Sequence, residues 1–228
     1  MKIVVQVVRG FATQHLNNPS ANFQTYPKGE TMGQRLECVC VYCGSADHLK
    51  PCYLESAYGL GQFLAQSGIQ VVYGAGKTGL MGKLAEGVLD AGGKVTGIVP
   101  RNLFTPVLIH DSLSVLEVVD DIQVRKARMS ELAQGFIALP GGYGTFDELF
   151  ETLTWAQIGL HSKPIGLLNV NHYFDPLIKL VANAWQEGFI YPGHENLLLE
   201  ETDPHRLIEK MEAYRPPGDL EKWVTRDE

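Results

Sequence analysis

The stretch Leu139–Glu148 (LPGGYGTFDE) combines three glycines and a threonine, residue types that suit the binding of a phosphate group, with two carboxylates at its end. Gly141, Gly142 and Gly144 let a backbone turn sharply and expose successive N–H groups, because no Cβ obstructs them. Thr145 is expected to open a helix, whose N-terminus offers unpaired N–H donors and a partial positive charge. The stretch therefore predicts a strand-to-helix loop that binds an anion.

The same stretch also fits a plain structural role. Its segment Thr145–Glu148 (TFDE) follows the T-x-x-E pattern of a capping box, in which a hydroxyl and a carboxylate satisfy N–H groups at a helix start. A tight turn with a capped helix would need no ligand. Whether the stretch binds an anion or only caps a helix depends on which other loops lie beside it.

Two further loops, Cys43–Ser45 and Tyr73–Gly82 (YGAGKTGLMG), are also rich in glycine or polar residues. Ligands bind at the carboxyl ends of the strands of a parallel sheet, so loops that follow such strands line one edge. We therefore expect the three loops to form a single site. The residues expected to contact the substrate or its phosphate are Gly44, Ser45, Gly74, Gly76, Met81, Gly141, Gly142, Tyr143, Gly144 and Thr145.

The second of these loops matches neither of the two usual nucleotide fingerprints well. Its GAGKTG segment lacks the spacing of a P-loop. Gly74, Gly76 and Gly79 fit G-x-G-x-x-G, but no acidic residue ends the next strand at 99–101. The pattern thus argues against the ribose grip of an NAD site.

A regular alternation of strands and helices from Leu36 onward positions these loops. The predicted strands are Leu36–Tyr42, Ile69–Tyr73, Val95–Val99, Val115–Val119, Phe136–Leu139, Ile165–Val170 and Leu197–Leu199, and the predicted helices are Pro51–Gln66, Leu80–Asp90, Ile122–Ala133, Thr145–Ile158, Phe174–Glu187 and Pro204–Tyr214. This order predicts an α/β fold, a doubly wound Rossmann-like parallel sheet with helices on both faces. Residues 36–228 are expected to form one nucleotide-binding domain. Residues 1–35 are interpreted as a leader, an extra strand or a non-native start.

Composition and charge narrow the classes of partner. A formal net charge of −7 leaves no large basic surface for nucleic acid, and no apolar run approaches the roughly 18 residues of a membrane span. Cys38 and Cys40 fall in an apolar strand, and no His/Cys spacing suits zinc, so a metal site is disfavoured. Free thiols without a clear secretory signal predict a cytoplasmic protein.

Several segments together resemble the LONELY GUY (LOG) family of cytokinin riboside 5′-monophosphate phosphoribohydrolases, long labelled lysine decarboxylases. The resemblance rests on Gly74–Gly82, Val99–Pro100, Arg125–Lys126, Pro140–Glu148 and Thr154–Gln157. It covers the chain from about residue 36 to the C-terminal region. It implies hydrolysis of the N-glycosidic bond of a nucleoside 5′-monophosphate to a free base and ribose 5-phosphate.

The resemblance implies that Arg125 and Glu148 are the catalytic residues, and Lys126 and Thr154 join the expected substrate contacts. It also implies a homodimer that needs no cofactor. The chemistry agrees, because cleaving this bond builds positive charge on the ribose. A carboxylate at Glu148 can stabilise that charge and deprotonate water, and Arg125 is a permanently charged donor.

Some residues depart from the family pattern or invite other interpretations. Ile122–Gln123 stands where members commonly have Met-His, and Ala75 interrupts a glycine triplet, so the preferred base is left open between cytokinins, AMP and other purine or pyrimidine nucleotides. Lys77 and Lys126 lack the context of a pyridoxal phosphate site. The PGGxGT pattern also resembles molybdenum-cofactor carrier proteins, which bind without chemistry. No site role is expected of Arg128, Trp155 and His161, and His161 is expected to be a solvated loop residue.

Overall fold

The computed structural model describes residues 4–7 and 35–218. In these residues the strands are β1 (Val4–Val7), β2 (Cys38–Tyr42), β3 (Gln70–Tyr73), β4 (Val95–Pro100), β5 (Val115–Val119), β6 (Gly135–Ala138), β7 (Ile165–Leu168) and β8 (Leu198–Glu201). The α-helices are α1 (Pro51–Gln66), α2 (Gly79–Asp90), α3 (Ile122–Leu132), α4 (Tyr143–Gln157), α5 (Asp175–Gln186) and α6 (Pro204–Ala213). Short 3₁₀ turns follow β4 and β7 and precede β8.

The eight described strands form one sheet in the order β1-β5-β4-β3-β2-β6-β7-β8, and every neighbouring pair is parallel. Val39 of β2 lies opposite Val71 of β3 on one side and opposite Gly135 of β6 on the other. From β2 the chain adds β3, β4 and β5 on one side of the sheet, and then β6, β7 and β8 on the other side. The predicted α/β fold with a doubly wound parallel sheet is confirmed, and its switch point lies between β2 and β6.

Two apolar clusters cover the two faces of the sheet. Alternate residues of β2 point to opposite faces, so Val39 and Val41 belong to one cluster and Cys40 to the other. The first cluster packs against α1, α2 and α6, and the second against α3, α4 and α5. Burial on both faces explains why β2, β6 and β7, which lie inside the sheet, are apolar along their whole length rather than alternating.

The N-terminal stretch is described only at Val4–Val7, which pairs with β5 as an edge strand. An extra strand was one of the interpretations of this stretch. Residues 1–3 and 8–34 of the expected leader lie outside the described residues, as do residues 219–228.

All four cysteines are free thiols; Cys40 and Cys43 are buried, and Cys38 is half-buried. Within the described part of the chain, no group of three or more His, Cys, Asp or Glu side chains is placed to hold a metal ion. Among the described helices, none has the length and hydropathy to cross a membrane.

Three residues without an expected site role have structural contacts. Arg128 pairs with the buried Glu117 through Nε–Oε2 at 2.7 Å. Trp155 is half-buried on α4. The expectation that His161 is a solvated loop residue is wrong: its ring packs against Phe136, and burial lowers its pKa to about 4. The loop before β7 folds back onto α4, where the ring nitrogen Nε2 lies 3.1 Å from the Thr152 carbonyl oxygen.

Candidate active site

The three loops predicted to form one site meet at the carboxyl edge of the sheet. The Gly44 N–H donates to the Pro140 carbonyl oxygen at 3.0 Å, which joins the first loop to the third. The Leu80 N–H donates to the Gly44 carbonyl oxygen at 2.9 Å, which joins the second loop to the first. Strands β2, β3 and β6 are neighbours in the sheet, so their loops emerge side by side.

Close backbone approach explains several glycines of these loops. A Cβ on Gly141 would lie 2.9 Å from the Gly44 nitrogen and would overlap the Thr145 side chain. A Cβ on Gly74 would overlap the Arg125 guanidinium. The absence of side chains therefore brings the loops together and leaves room for Arg125.

The loops surround a cavity of about 600 Å³, a size that suits a small ligand. Eleven of the fourteen site residues expected from the sequence line it: Gly44, Ser45, Gly74, Met81, Arg125, Gly141, Gly142, Tyr143, Gly144, Thr145 and Glu148. The structure therefore brings the two expected catalytic residues and the glycine loops into one space.

Three of the expected contact residues do not line the cavity. Lys126 is almost buried and forms ion pairs with Asp147 at 3.1 Å and Glu151 at 3.0 Å. Thr154 is exposed farther along α4 and donates to a backbone carbonyl of that helix. Gly76 lies beside the Met81 side chain, where a Cβ would be 2.9 Å from Sδ.

Helix α4 begins at Tyr143, two residues before the predicted start at Thr145. Gly142 is the N-cap and supplies no side chain, so the capping-box interpretation is wrong. Tyr143 and Gly144 adopt helical geometry themselves and place Thr145 inside the first turn. The first-turn N–H groups have no acceptor within the helix. The space beside Gly142 and Gly144 is open, so these donors can meet an anion.

Arg125 and Glu148 form an ion pair inside the cavity. Arg125 Nη1 lies 3.5 Å from Glu148 Oε1, and the two side chains are only 14% and 11% exposed. Arg125 is fixed further because its Nε donates to the Ile98 carbonyl oxygen at 3.0 Å. The pair joins α3 to α4 across the end of the sheet.

Burial raises the pKa of Glu148 from 4.5 to about 7, although the Arg125 charge favours the ionised carboxylate and opposes that rise. Removal from water thus outweighs the ion pair. Near neutral pH, protonated and ionised forms of Glu148 coexist. A carboxyl group with this property can take up and release a proton during a reaction.

An apolar wall of the cavity was not predicted. Leu103, Leu108 and Ile109 follow β4 and line the cavity. Lys77 holds their segment, because its Nζ donates to the Pro106 carbonyl oxygen at 2.7 Å and its N–H donates to that of Leu108 at 3.0 Å. The sequence could have indicated this wall, because the segment follows a predicted strand and so lies at the same edge of the sheet as the glycine loops.

Two solved structures share the fold. A molybdenum cofactor binding protein from Rippkaea orientalis aligns with a TM-score of 0.60 at 23% identity, over 78% of this chain and 97% of that chain. The molybdenum cofactor carrier protein from Chlamydomonas reinhardtii aligns with a TM-score of 0.58 at 20% identity, over 78% and 98%. These likenesses define the class as Rossmann-type parallel α/β proteins.

Sequence similarity identifies the family. A family model described as "Possible lysine decarboxylase" matches residues 81–211. The probable cytokinin riboside 5′-monophosphate phosphoribohydrolase LOGL3 of Oryza sativa subsp. japonica is 42% identical over 81% of this chain and 88% of its own. The phosphoribohydrolase LOG5 of Arabidopsis thaliana, with the same activity in its name, is 40% identical over 83% of each chain. The chain belongs to the LOG family.

Proposed function

We propose that the protein hydrolyses the N-glycosidic bond of a nucleoside 5′-monophosphate, giving a free base and ribose 5-phosphate. The observation that carries the proposal is the buried Arg125–Glu148 pair beside an open helix N-terminus in one cavity. The names of the relatives, cytokinin riboside 5′-monophosphate phosphoribohydrolases, support it.

The 5′-phosphate binds at the start of α4. The N–H groups there are uncapped, and Gly142 and Gly144 leave their surroundings open. The helix dipole adds a partial positive charge that favours an anion. Because Glu148 lies in the second turn of the same helix, a phosphate held at the first turn brings the sugar toward the carboxylate.

The reaction develops positive charge on the ribose as the bond from C1′ to the base nitrogen lengthens. The Glu148 carboxylate stabilises that charge and removes a proton from water. The water oxygen forms the new bond to C1′, and the base leaves with the electron pair of the broken bond and takes up a proton. Arg125 orients Glu148 and donates to the phosphoribosyl group or the departing base.

The base lies against the apolar wall of Leu103, Leu108 and Ile109. An adenine ring, or an adenine with an apolar N6 substituent, suits such a surface better than a charged group does. Cytokinin riboside 5′-monophosphate and AMP are therefore the substrates proposed, and a broad purine or pyrimidine nucleotide specificity is the alternative.

Incubation with AMP and with isopentenyladenosine 5′-monophosphate, followed by chromatography of the released base, tests the function. The wild type is expected to release base from at least one of them. Glu148→Gln is expected to be slower by on the order of 100-fold or more. Glu131→Gln, which changes an exposed carboxylate outside the cavity, is the matched control and keeps full activity.

Absence of base release from either nucleotide by the wild type would overturn the hydrolase proposal. Tight ligand binding without release would indicate a carrier instead. Equal release of base from purine and pyrimidine monophosphates would favour a general nucleotide nucleosidase. Unchanged activity of Glu148→Gln would remove Glu148 from the mechanism.

A second copy of the chain is the proposed protein partner. None of the residues of α5 is fully buried, and Leu180 and Trp185 on this helix and Phe189 just after it are 61%, 41% and 82% exposed. Apolar side chains of this size on one helix and its extension favour burial against another protein surface. A homodimer covers them without a further component.

A reducing compartment such as the cytoplasm is the proposed location. The described cysteines are all free, and Cys52 is exposed, where an oxidising environment would attack it. The net charge of −7 and the small cavity support a small-molecule nucleoside monophosphate, rather than nucleic acid or a membrane, as the ligand.

A further inference from the structure

The turn after β7 is unusual in its backbone. Asn171 and His172 have φ angles of 50° and 57°, so two successive residues that are not glycine lie in the left-handed region. Such a pair is disfavoured and persists only where its surroundings impose it. Backbone strain of this kind is common where a side chain has to be placed accurately.

Asn169 imposes the turn. Its side chain is fully buried and has a partner for each polar atom. Nδ2 donates to Asp175 Oδ1 at 2.9 Å and to Glu200 Oε1 at 2.6 Å, and Oδ1 accepts from the Phe174 N–H at 2.8 Å. The side chain thus closes the segment from 169 to 174 into a fixed loop between β7 and α5.

The loop delivers Tyr173 to the cavity. The hydroxyl of Tyr173 donates to the Gly141 carbonyl oxygen at 2.5 Å, and its ring lines the cavity. The ring lies edge-on to Phe174 at 5.1 Å and to Tyr53 at 6.1 Å between centroids. The Tyr173 ring is therefore held between two aromatic neighbours, and its hydroxyl bonds to the glycine loop.

The hydrogen bond from Tyr173 restrains the peptide between Gly141 and Gly142, which would otherwise be flexible. The Gly141 carbonyl and the Gly142 N–H belong to one planar trans peptide and point in opposite directions. Flanked by two glycines, this peptide rotates easily. Gly141 cannot be exchanged for a stiffer residue, because a Cβ there meets Gly44 and Thr145. The restraint has to come from another segment.

We propose that Tyr173 is a positioning residue that fixes the peptide between Gly141 and Gly142 so that the Gly142 N–H stays available to the substrate phosphate. Rotation of this peptide would turn a carbonyl oxygen toward the anion instead. The inference rests on the proposed function, since it assigns Tyr173 to the phosphate end of that substrate. It makes Tyr173 a determinant of preference for phosphorylated over unphosphorylated nucleosides.

The experiment measures binding of ribose 5-phosphate and of adenine separately, by calorimetric titration of the wild type and Tyr173→Phe. We expect the dissociation constant for ribose 5-phosphate to rise about five- to tenfold in the variant, and that for adenine to stay within about twofold. In turnover, KM for the nucleotide rises while kcat is nearly kept. Tyr58→Phe, which removes a hydroxyl bonded to Asp90 outside the cavity, is the control and changes neither constant.

Three other results would each overturn either the role of Tyr173 or the proposed function. Unchanged affinity for ribose 5-phosphate in Tyr173→Phe would overturn the positioning role while leaving the proposed function standing. Equal weakening of both ligands, with a lowered unfolding temperature, would show a general structural role and overturn it as well. A wild type that shows no binding of ribose 5-phosphate by calorimetry and releases no base in turnover would overturn the proposed function itself.

Discussion

Glu148 is subject to two opposing electrostatic influences, and their balance has consequences for the whole reaction. Burial favours the neutral acid, whereas Arg125 at 3.5 Å favours the carboxylate. A surface ion pair would leave such a group ionised at all pH values near neutrality. Here burial prevails, and the pKa of about 7 makes the state of Glu148 depend on pH in the range in which an enzyme works.

The pH dependence of kcat/KM is therefore predicted to show an acid limb with a midpoint near 7. The carboxylate is the active form, so the rate rises with pH and reaches a plateau above that midpoint. In Glu148→Gln the residual rate should lack this limb. The phosphate of the substrate titrates near pH 6, so the pH dependence of ribose 5-phosphate binding serves to separate the two effects. A profile in which wild type and variant share the limb would assign it to another group.

Stability should respond to pH in the opposite sense. A carboxyl group with a folded-state pKa of about 7 and an ordinary value of 4.5 stabilises the folded state below 4.5, and this contribution is lost as pH rises through 7. Between pH 5 and pH 8 the wild type should lose about 2 to 3 kcal/mol of unfolding free energy relative to Glu148→Gln. Urea unfolding of both proteins at the two pH values measures it. Parallel losses in both would contradict the raised pKa.

Single residues differ in how far the sequence reveals them. Arg125 and Glu148 were predicted because they stand in a specific motif, and the structure places them in contact. Tyr173 gave no signal, since its position depends on a left-handed turn that Asn169 holds through residues distant in sequence. His161 was misjudged for the same reason: its burial depends on a tertiary contact with Phe136.

Helices α1 and α2 approach each other so closely that glycines are needed at their contact. A Cβ on Gly61 would overlap the Leu84 carbonyl oxygen, and one on Gly87 would overlap that of Tyr58. Gly59, in the same helix α1, is exposed and has nothing within 4 Å of a Cβ. Because α2 starts within the second glycine-rich segment, and its residues Leu80 and Met81 line the cavity, this contact also fixes one wall of the cavity.

Alanine substitutions at the two positions of α1 should have opposite effects. Gly61→Ala forces the helices apart and is expected to lower the unfolding free energy by about 2 to 3 kcal/mol. Gly59→Ala removes a flexible residue from a helix interior and should raise it by about 0.5 to 1 kcal/mol. Urea unfolding of both variants checks the pair. Similar effects at both sites would show that the helix contact is not as tight as described.

Most elements could be predicted from the sequence because their patterns are strong. The helix Pro51–Gln66 and the strand Val115–Val119 were predicted with the bounds that the structure shows. The start of α4 was misplaced by two residues, since a glycine N-cap leaves no side-chain signal and Thr145 offered a false one. An extra strand was one interpretation of the N-terminal stretch, but the pairing of Val4–Val7 with β5 was not predicted, because a short apolar stretch does not identify its neighbour in a sheet.

At the scale of the whole molecule, the exposed apolar residues around α5 are the basis of the proposed homodimer. We expect the protein to sediment as a dimer, and Trp185→Glu combined with Phe189→Glu to shift it toward the monomer, because a charge cannot be buried unpaired at an interface. Val107→Glu changes an exposed apolar residue on the segment after β4 and is the control. Sedimentation velocity over a range of concentrations measures the shift. A monomeric wild type would contradict the prediction.

The space that Gly74 leaves for Arg125 also limits how this sequence can diverge. Every other amino acid begins its side chain with a Cβ, so no replacement at this position is conservative, however small. The segment with Leu103 and Leu108 carries no comparable restriction, because its side chains face the cavity from a loop. New substrate preferences would therefore arise in descendants of this protein through changes in that segment, whereas position 74 would have to stay glycine.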